Sequence, residues 1–177
     1  AAFARSSVSQ LRVSDLGSFV RVVGTVTRAG AVKVVQEWRE FRCEGCNHTF
    51  KLRASPANGY DFDMPSQCSS GEKKSKWDPK AKRPKTMKCS SKAFAPLPPG
   101  EHCMAEFQEV RLQDQMQAVG AGVVPRSVAV VLFGDLANKI QPGDSVLVEG
   151  VVWQRWRAPW VGKRLEVEMF IEASNVE

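Results

Sequence analysis

Cys43 and Cys46 are separated only by Glu44 and Gly45, and Cys68 and Cys89 follow in the same irregular stretch. Two thiolates spaced C-x-x-C around a glycine turn form a knuckle that presents both sulfurs to one Zn2+, which takes two further ligands. Cys68 and Cys89 are the natural candidates for those places. Four thiolates leave no open position for water or substrate, so the implied zinc is structural and a metal-dependent hydrolase is excluded. Cys103 is the fifth cysteine and reads as a small buried residue before a strand, while remaining the one thiol competitor for the fourth place. His48 and His102 are the nitrogen alternatives and read as surface residues. An odd cysteine number with one tight pair fits a metal site in a reducing compartment better than a disulfide scaffold.

A second constellation runs from Val152 to Arg164 (VWQRWRAPWVGKR). It reads as a β-hairpin with Pro159 and Gly162 near its tip. Arg155, Arg157, Lys163 and Arg164 are interleaved with Trp153, Trp156 and Trp160. Guanidinium groups pair with phosphates and indole faces stack on bases, so this is a candidate single-stranded DNA contact. The same alternation also suits tryptophans that fill a core beside cations that protect a strand edge.

The net charge of +6 is carried by one segment: residues 69–88 hold eight Lys/Arg against two Asp/Glu, which leaves the rest of the chain neutral. That run reads as a flexible, solvated loop, with a bipartite nuclear import signal or a non-specific DNA contact as alternatives. Phosphate-binding chemistry of the nucleotide-hydrolysing kind is absent. The single Gly-Lys pair, Gly162-Lys163, is followed by Arg164, with no upstream glycine at the required spacing. Two histidines give no arguable Ser-His-Asp set, so no catalytic residue is assigned. No apolar run approaches the length of a membrane span, the first residues lack a signal-peptide core, and no membrane partner is expected.

These groups must be positioned by short strands. SFVRVVGTVT (18–27) alternates around valines, and Gly24 marks a bulge or sharp coil. The β-branched and aromatic residues of 31–42 predict a second strand. Strand pattern returns at 105–113, 127–133, 145–156 and 164–176, with a long loop at 114–126 and a Pro-Gly-Asp turn at 142–144. Five or more short strands with little helix predict a mainly β fold, a five-stranded OB-fold barrel with an inserted zinc-ribbon subdomain. The expected boundaries are a barrel at 18–42 and 104–177, and a zinc-binding insertion at 43–103 with a flexible Lys-rich loop at 70–88.

These motifs, in this order, resemble the amino-terminal domain of the minichromosome-maintenance (MCM) helicases. FVRVVGTVTRAGAVK resembles the family's barrel-opening strands, and the knuckle follows directly. FQEVRLQDQMQ, followed by GVVPRSVAVVLFGDLANKIQPGDSVLVEGVV, is the most specific match, and the likeness covers most of residues 11–176. Within the family, EFRCEGCNHTFKLRA, PSQC and VVWQRWRAPW are most similar to the ninth paralogous branch, which acts with the eighth in recombination-coupled DNA repair.

The resemblance implies a hexameric ring threaded by DNA in the nucleus, with ATP and Mg2+ belonging to an AAA+ motor carboxy-terminal to this chain. It places the zinc ligands on Cys43, Cys46, Cys68 and Cys89, and the DNA hairpin on Gln154–Lys163. Arg28 and Lys33 become further DNA contacts. The loop that relays to the motor falls on 113–126, including Gln113, Gln115, Pro125 and Arg126. Residues 1–17 are the implied remnant of a preceding helical subdomain, so this fragment is expected to oligomerise weakly. The 20 residues between Cys68 and Cys89 depart from the family's closer second pair. Two rival functions share these features: an assembly module with incidental DNA affinity, and a stand-alone OB single-strand binder.

Overall fold

A computed structural model describes residues 3–4, 7–70, 73–78, 83–87, 89–100, 103–115, 122, 124–156 and 166–177. The strands in chain order are β1 (Phe3–Ala4), β2 (Phe19–Ala29), β3 (Lys33–Gln36), β4 (Trp38–Cys43), β5 (Thr49–Ser55), β6 (Asp61–Phe62), β7 (Lys73–Asp78), β8 (Arg83–Met87), β9 (Phe94–Pro96), β10 (Met104–Gln113), β11 (Ser127–Phe133), β12 (Ser145–Trp156) and β13 (Val167–Val176). The chain divides into two compact units, one of residues 1–35, 56–59 and 105–177, the other of 36–55 and 60–104.

The first unit is a closed ring of five strands, β2-β12-β13-β11-β10 and back to β2. β2 closes it by pairing with β12 through Phe19–Thr25 and with β10 through Thr25–Ala29. All neighbours are antiparallel except β11 and β13, which run parallel. This is the OB-fold barrel that the strand pattern predicts. Strict alternation sends Val20, Val22 and Val26 of β2 inward, with Val110, Leu112, Val128, Val130, Leu132, Val146, Val148, Val152 and Ile171 from the other strands. Each such buried aliphatic side chain stabilises the fold by about 1.5–3 kcal/mol relative to exposure.

Two glycines let the ring close. Gly24 is buried where β2 crosses β10, and a Cβ there would lie 2.6 Å from the Gln113 carbonyl oxygen. The β2 bulge itself falls at Thr27, because Arg111 pairs with Arg28 while Leu112 pairs with Val26. Gly150 sits at a register shift between β12 and β13, and a Cβ there would meet the Glu172 carbonyl oxygen at 2.1 Å.

The second unit holds a four-stranded sheet, β6-β5-β4-β9. Two sequence expectations change here. The predicted strand 31–42 is split, and only its first part stays with the barrel: β3 joins the sheet of β10, whereas β4 pairs with β5 and β9. The switch follows from side-chain chemistry, since Phe41 of β4 packs against Phe50 and Phe62 at 6.1 and 5.9 Å. The Lys-rich run, expected as an irregular loop, contains the antiparallel pair β7–β8, with Lys73 opposite Met87 and Asp78 opposite Arg83. Lysine and proline are poor strand formers, which hid the pair; Pro84 is tolerated because a two-stranded ribbon has only edges. Among the described residues no helix is long and apolar enough to cross a membrane.

Candidate metal centre and basic hairpin

The knuckle forms as β4 ends. Asn47 takes a left-handed conformation (φ 59°) and its N–H returns to the Cys43 carbonyl at 2.9 Å, turning Cys43 and Cys46 toward one side. The segment bearing Cys89 closes on the knuckle through backbone hydrogen bonds: Glu44 N–H donates to Ala93 O (3.1 Å) and Cys68 N–H to Ser91 O (2.9 Å). Phe94 of β9 packs beside the sulfurs and meets Phe50 edge-on at 5.2 Å.

The four Sγ atoms of Cys43, Cys46, Cys68 and Cys89 all lie within 4.8 Å of one another. Cys43 and Cys89 are 3.8 Å apart, and Cys46 and Cys68 3.6 Å. A disulfide would require about 2.05 Å. A tetrahedral ion with Zn–S bonds of about 2.3 Å requires sulfurs about 3.8 Å apart. The donor set therefore fits a tetrahedral thiophilic cation. The thiols differ in proton affinity. At Cys43 burial favours the neutral thiol, but the N–H groups of Gly45 and Cys46, together with the Cys68 and Ser91 side chains, outweigh it and bring the pKa down to about 6. At Cys89 the Ser91 N–H favours the thiolate, but burial and the Cys46 and Cys43 sulfurs outweigh it and push the pKa up to about 11. Four sulfurs at this spacing are all thiolates only when a cation lies among them.

Cys103 is elsewhere. It is buried, and its thiol donates to the Gly100 carbonyl at 2.8 Å. His48 is exposed and stacks on Phe50 with centroids 6.3 Å apart. His102 lies outside the described residues.

β12 and β13 form the two arms of the basic hairpin, paired from Val148–Val176 to Trp156–Val167. Arg157, Lys163 and Arg164 fall in the connection and lie outside the described residues. Of the tryptophans on the arm, Trp156 is 60% exposed and Trp153 is half-buried opposite Phe170. The fully buried inward residue of this arm is Val152.

Arg155 departs from its expected role as a free phosphate contact. Its Nη1 and Nη2 donate to the two carboxylate oxygens of Glu109 at 2.7 and 3.0 Å, and its Nε and Nη2 donate to Glu168 Oε2 at 3.2 and 3.0 Å. The guanidinium lies over the buried Phe170 ring at 5.4 Å. Arg111 donates to the other oxygen of Glu168 at 3.2 Å. The Glu109 carboxylate, opposed by burial and helped by Glu168, raises the Arg155 pKa, and the same pair lowers that of Glu109. A phosphate at this guanidinium would compete with two carboxylates that already take four of its N–H groups. In this structure Arg155 is held in ion pairs with Glu109 and Glu168. Strand alternation identifies it as outward-facing, but the carboxylate 46 residues earlier in sequence gives no local signal.

Two further predicted cations, Arg28 and Lys33, lie among the described residues. Arg28 and Lys33 are both exposed, and Arg28 lines a depression of about 210 Å³ with Gly30, Glu109, Val110 and Arg111. The two ends of the 113–126 loop meet at Asp114. Its N–H donates to Arg126 O (3.0 Å), and its carboxylate accepts from Arg126 N–H (3.1 Å), Ser9 N–H (3.0 Å) and the Ser7 hydroxyl. Gln113 and Pro125 are half-buried, Gln115 donates to the Ser145 hydroxyl, and the Arg126 side chain is exposed. Asp114, 2% exposed, was not among the predicted residues, although an acid flanked by Gln113 and Gln115 at a strand end signals a loop-closing acceptor.

The chain is thus a closed five-stranded OB barrel with a four-cysteine unit inserted between its first two strands in sequence. The MCM OB domain family matches residues 7–155, and the chain belongs to that family. Similar relatives include a "Probable DNA helicase MCM9" of Arabidopsis thaliana, 29% identical over 96% of this chain and 24% of that protein. The "DNA replication licensing factor MCM7" of the same plant is 28% identical over 97% of this chain and 22% of its own length. The "DNA replication licensing factor mcm7" of Schizosaccharomyces pombe is 32% identical over 82% of this chain and 17% of its own length. The chain thus spans about a quarter or less of these relatives.

Proposed function

We propose that the chain is the non-catalytic DNA-binding collar of an ATP-dependent MCM-type DNA helicase, acting in the nucleus in replication and in repair by homologous recombination. Membership of the MCM OB domain family supports the helicase context, as do relatives named as DNA helicases and licensing factors. One observation carries the single-strand reading: β12 and β13 lead from the barrel into a connection whose sequence holds Arg157, Trp160, Lys163 and Arg164. Arg28 and Lys33 supply further phosphate contacts on the barrel. Binding through such groups is salt-dependent and largely blind to sequence.

Cys43, Cys46, Cys68 and Cys89 hold a structural zinc ion, which when bound offsets half of the thiolate charge and ties the knuckle to the Cys89 segment. Other MCM subunits, the eighth paralogue among them, complete a hexameric ring. The 113–126 loop faces the chain's own AAA+ motor, where ATP and Mg2+ bind.

The test is fluorescence anisotropy of a labelled oligothymidylate of about 16 nucleotides, within the site size of one OB fold. An Arg157/Lys163/Arg164→Ala variant is expected to lose most binding, with its salt slope reduced by about 2, from three lost phosphate contacts. Unchanged binding and slope in that variant, with loss on deleting 70–88, would contradict the reading and favour an assembly module with incidental DNA affinity.

A further inference from the structure

The tripeptide Cys-Ser-Ser occurs twice, as Cys68-Ser69-Ser70 and as Cys89-Ser90-Ser91. In both copies the cysteine is buried, the first serine is exposed and the second is half-buried. The second serines turn toward the sulfurs of the knuckle. The Ser70 hydroxyl lies 3.2 Å from Cys46 Sγ and 3.2 Å from Cys68 Sγ. The Ser91 hydroxyl hydrogen-bonds Cys43 Sγ, and its oxygen accepts the Ala93 N–H at 3.3 Å. The other acceptor near Ser91 Oγ is the Ala93 carbonyl, which at 3.5 Å stands at the edge of hydrogen-bonding distance.

Backbone donors complete the set. Each of the four sulfurs accepts an N–H from the residue two positions on: Cys43 from Gly45 at 3.4 Å, Cys68 from Ser70 at 3.5 Å, Cys46 from His48 and Cys89 from Ser91. Any residue except proline supplies such an N–H. The hydroxyls are different, because side-chain identity determines them. Room for one of them is built into the knuckle: a Cβ on Gly45 would lie 2.7 Å from Ser91 Cβ and 3.1 Å from its hydroxyl oxygen.

The need for these donors follows from charge. Four thiolates around one Zn2+ retain two negative charges, and Cys43, Cys68 and Cys89 are buried. Buried charge is costly unless it is hydrogen-bonded. A zinc-bound sulfur carries no proton, so there the hydroxyl donates and the sulfur accepts. Ser70 then has one hydrogen for two sulfurs, Cys46 and Cys68. Cys46 is the ligand that burial leaves partly exposed, and Ser70 stands beside it.

We propose that Ser70 and Ser91 are positioning residues of the metal centre, whose hydroxyls donate to the knuckle sulfurs, hold Cys46 and Cys43 in place and disperse part of their charge. The inference rests on the zinc reading of the four cysteines. It gives the two Cys-Ser-Ser copies one shared purpose. Each brings one thiolate to the ion and one hydroxyl to a thiolate of the knuckle, which compensates for the long separation of Cys68 and Cys89 in sequence.

The experiment uses the 177-residue chain with Ser70→Ala, Ser70→Thr, Ser91→Ala, the Ser70→Ala/Ser91→Ala double variant and Cys43→Ser. Zn2+ affinity is measured by competition with a chromophoric chelator. The Co2+-loaded forms report thiolate charge through their sulfur-to-metal charge-transfer band. Alanine keeps the backbone N–H and removes the hydroxyl alone. Ser70→Ala and Ser91→Ala are each expected to weaken Zn2+ binding about tenfold, as for loss of a hydrogen bond to a metal ligand. Each is also expected to move the band to lower energy, because a thiolate without its hydroxyl donor gives up an electron more readily. The double variant is expected to lose about a hundredfold, since the two serines serve different knuckle sulfurs. Ser70→Thr keeps a hydroxyl and is expected to keep both values near wild type. Wild-type affinity and band position in both alanine variants would overturn the proposal and leave the four-cysteine site standing. Weakened binding with an unmoved band, or without rescue by Ser70→Thr, would make the serines packing residues and overturn it equally. A wild-type chain that takes up neither Zn2+ nor Co2+, or uptake unchanged in Cys43→Ser, would defeat the zinc reading, and the proposal with it.

Discussion

Glu109 receives Arg155 through both carboxylate oxygens, at 2.7 and 3.0 Å, across the outside of the barrel from β12 to β10. The pair is partly exposed, with side-chain accessibilities of 34% and 25%, so solvent screening reduces its worth below that of a buried pair. Replacing Arg155 by methionine also removes two N–H donors from Glu168 and uncovers Phe170. The expected cost is about 1–2 kcal/mol, read as a fall of about 2–8 °C in the unfolding temperature. A melting temperature unchanged within error would show that the ion pairs carry no net stabilisation.

The metal centre separates four cysteines from the fifth. Cys89→Ser and Cys43→Ser are expected to leave zinc well below one ion per chain by elemental analysis, because each removes one thiolate of a closed tetrahedral site. Cys103→Ser keeps full stoichiometry, since that sulfur bonds Gly100 instead. Chelation is expected to open 36–104 to limited proteolysis while the barrel strands stay protected. Equal zinc loss in Cys89→Ser and Cys103→Ser would refute the ligand assignment.

Asp114 gives a pH dependence with a definite sign. Burial raises its pKa, but the Ser7 hydroxyl and the N–H groups of Ser9, Arg126 and Val8 outweigh it and hold the carboxyl below its usual range. A group depressed in the folded state contributes its full stability above the unfolded pKa, about 3.9, and loses it as pH falls through the folded value. Asp114→Asn is expected to cost about 1–3 kcal/mol near neutral pH, with the gap to wild type narrowing below about pH 4 in denaturant titrations. A gap that is constant down to pH 3 would exclude the charged carboxylate as its source.

The barrel was legible because its core obeys period-two alternation: Val20, Val22 and Val26, then Val146, Val148 and Val152, are inward positions readable from sequence alone. The metal centre was legible for a different reason, since C-x-x-C and the remaining cysteines of the same stretch encode one chemistry at a distance. What sequence left hidden depends on pairing between remote segments. The partners of Arg155 lie 46 residues earlier and 13 later. The departure of β4 to its own sheet follows from contacts to Phe50 and Phe62 that no window around Trp38 contains. The β7–β8 pair joins lysine-rich segments whose composition speaks against strands.

Gly150 tests the ring closure. Adding a single methyl group places carbon 2.1 Å from the Glu172 carbonyl and 2.9 Å from Ala173 Cα, both backbone. Gly150→Ala is expected to force β12 and β13 apart and to cost about 1–3 kcal/mol or more in unfolding free energy. Full retention of stability would mean that the β12–β13 shift relaxes without strain.

The most direct measurement of the single-strand contact is photo-cross-linking of a bromodeoxyuridine-substituted oligonucleotide to the zinc-loaded chain, with the adducts mapped by mass spectrometry. The expected result is cross-links concentrated in the peptide spanning 157–165, around Trp160, with minor adducts near Arg28 and Lys33. Cross-links confined to the Lys-rich residues 73–88, with none in 157–165, would contradict it and make the affinity a property of non-specific charge.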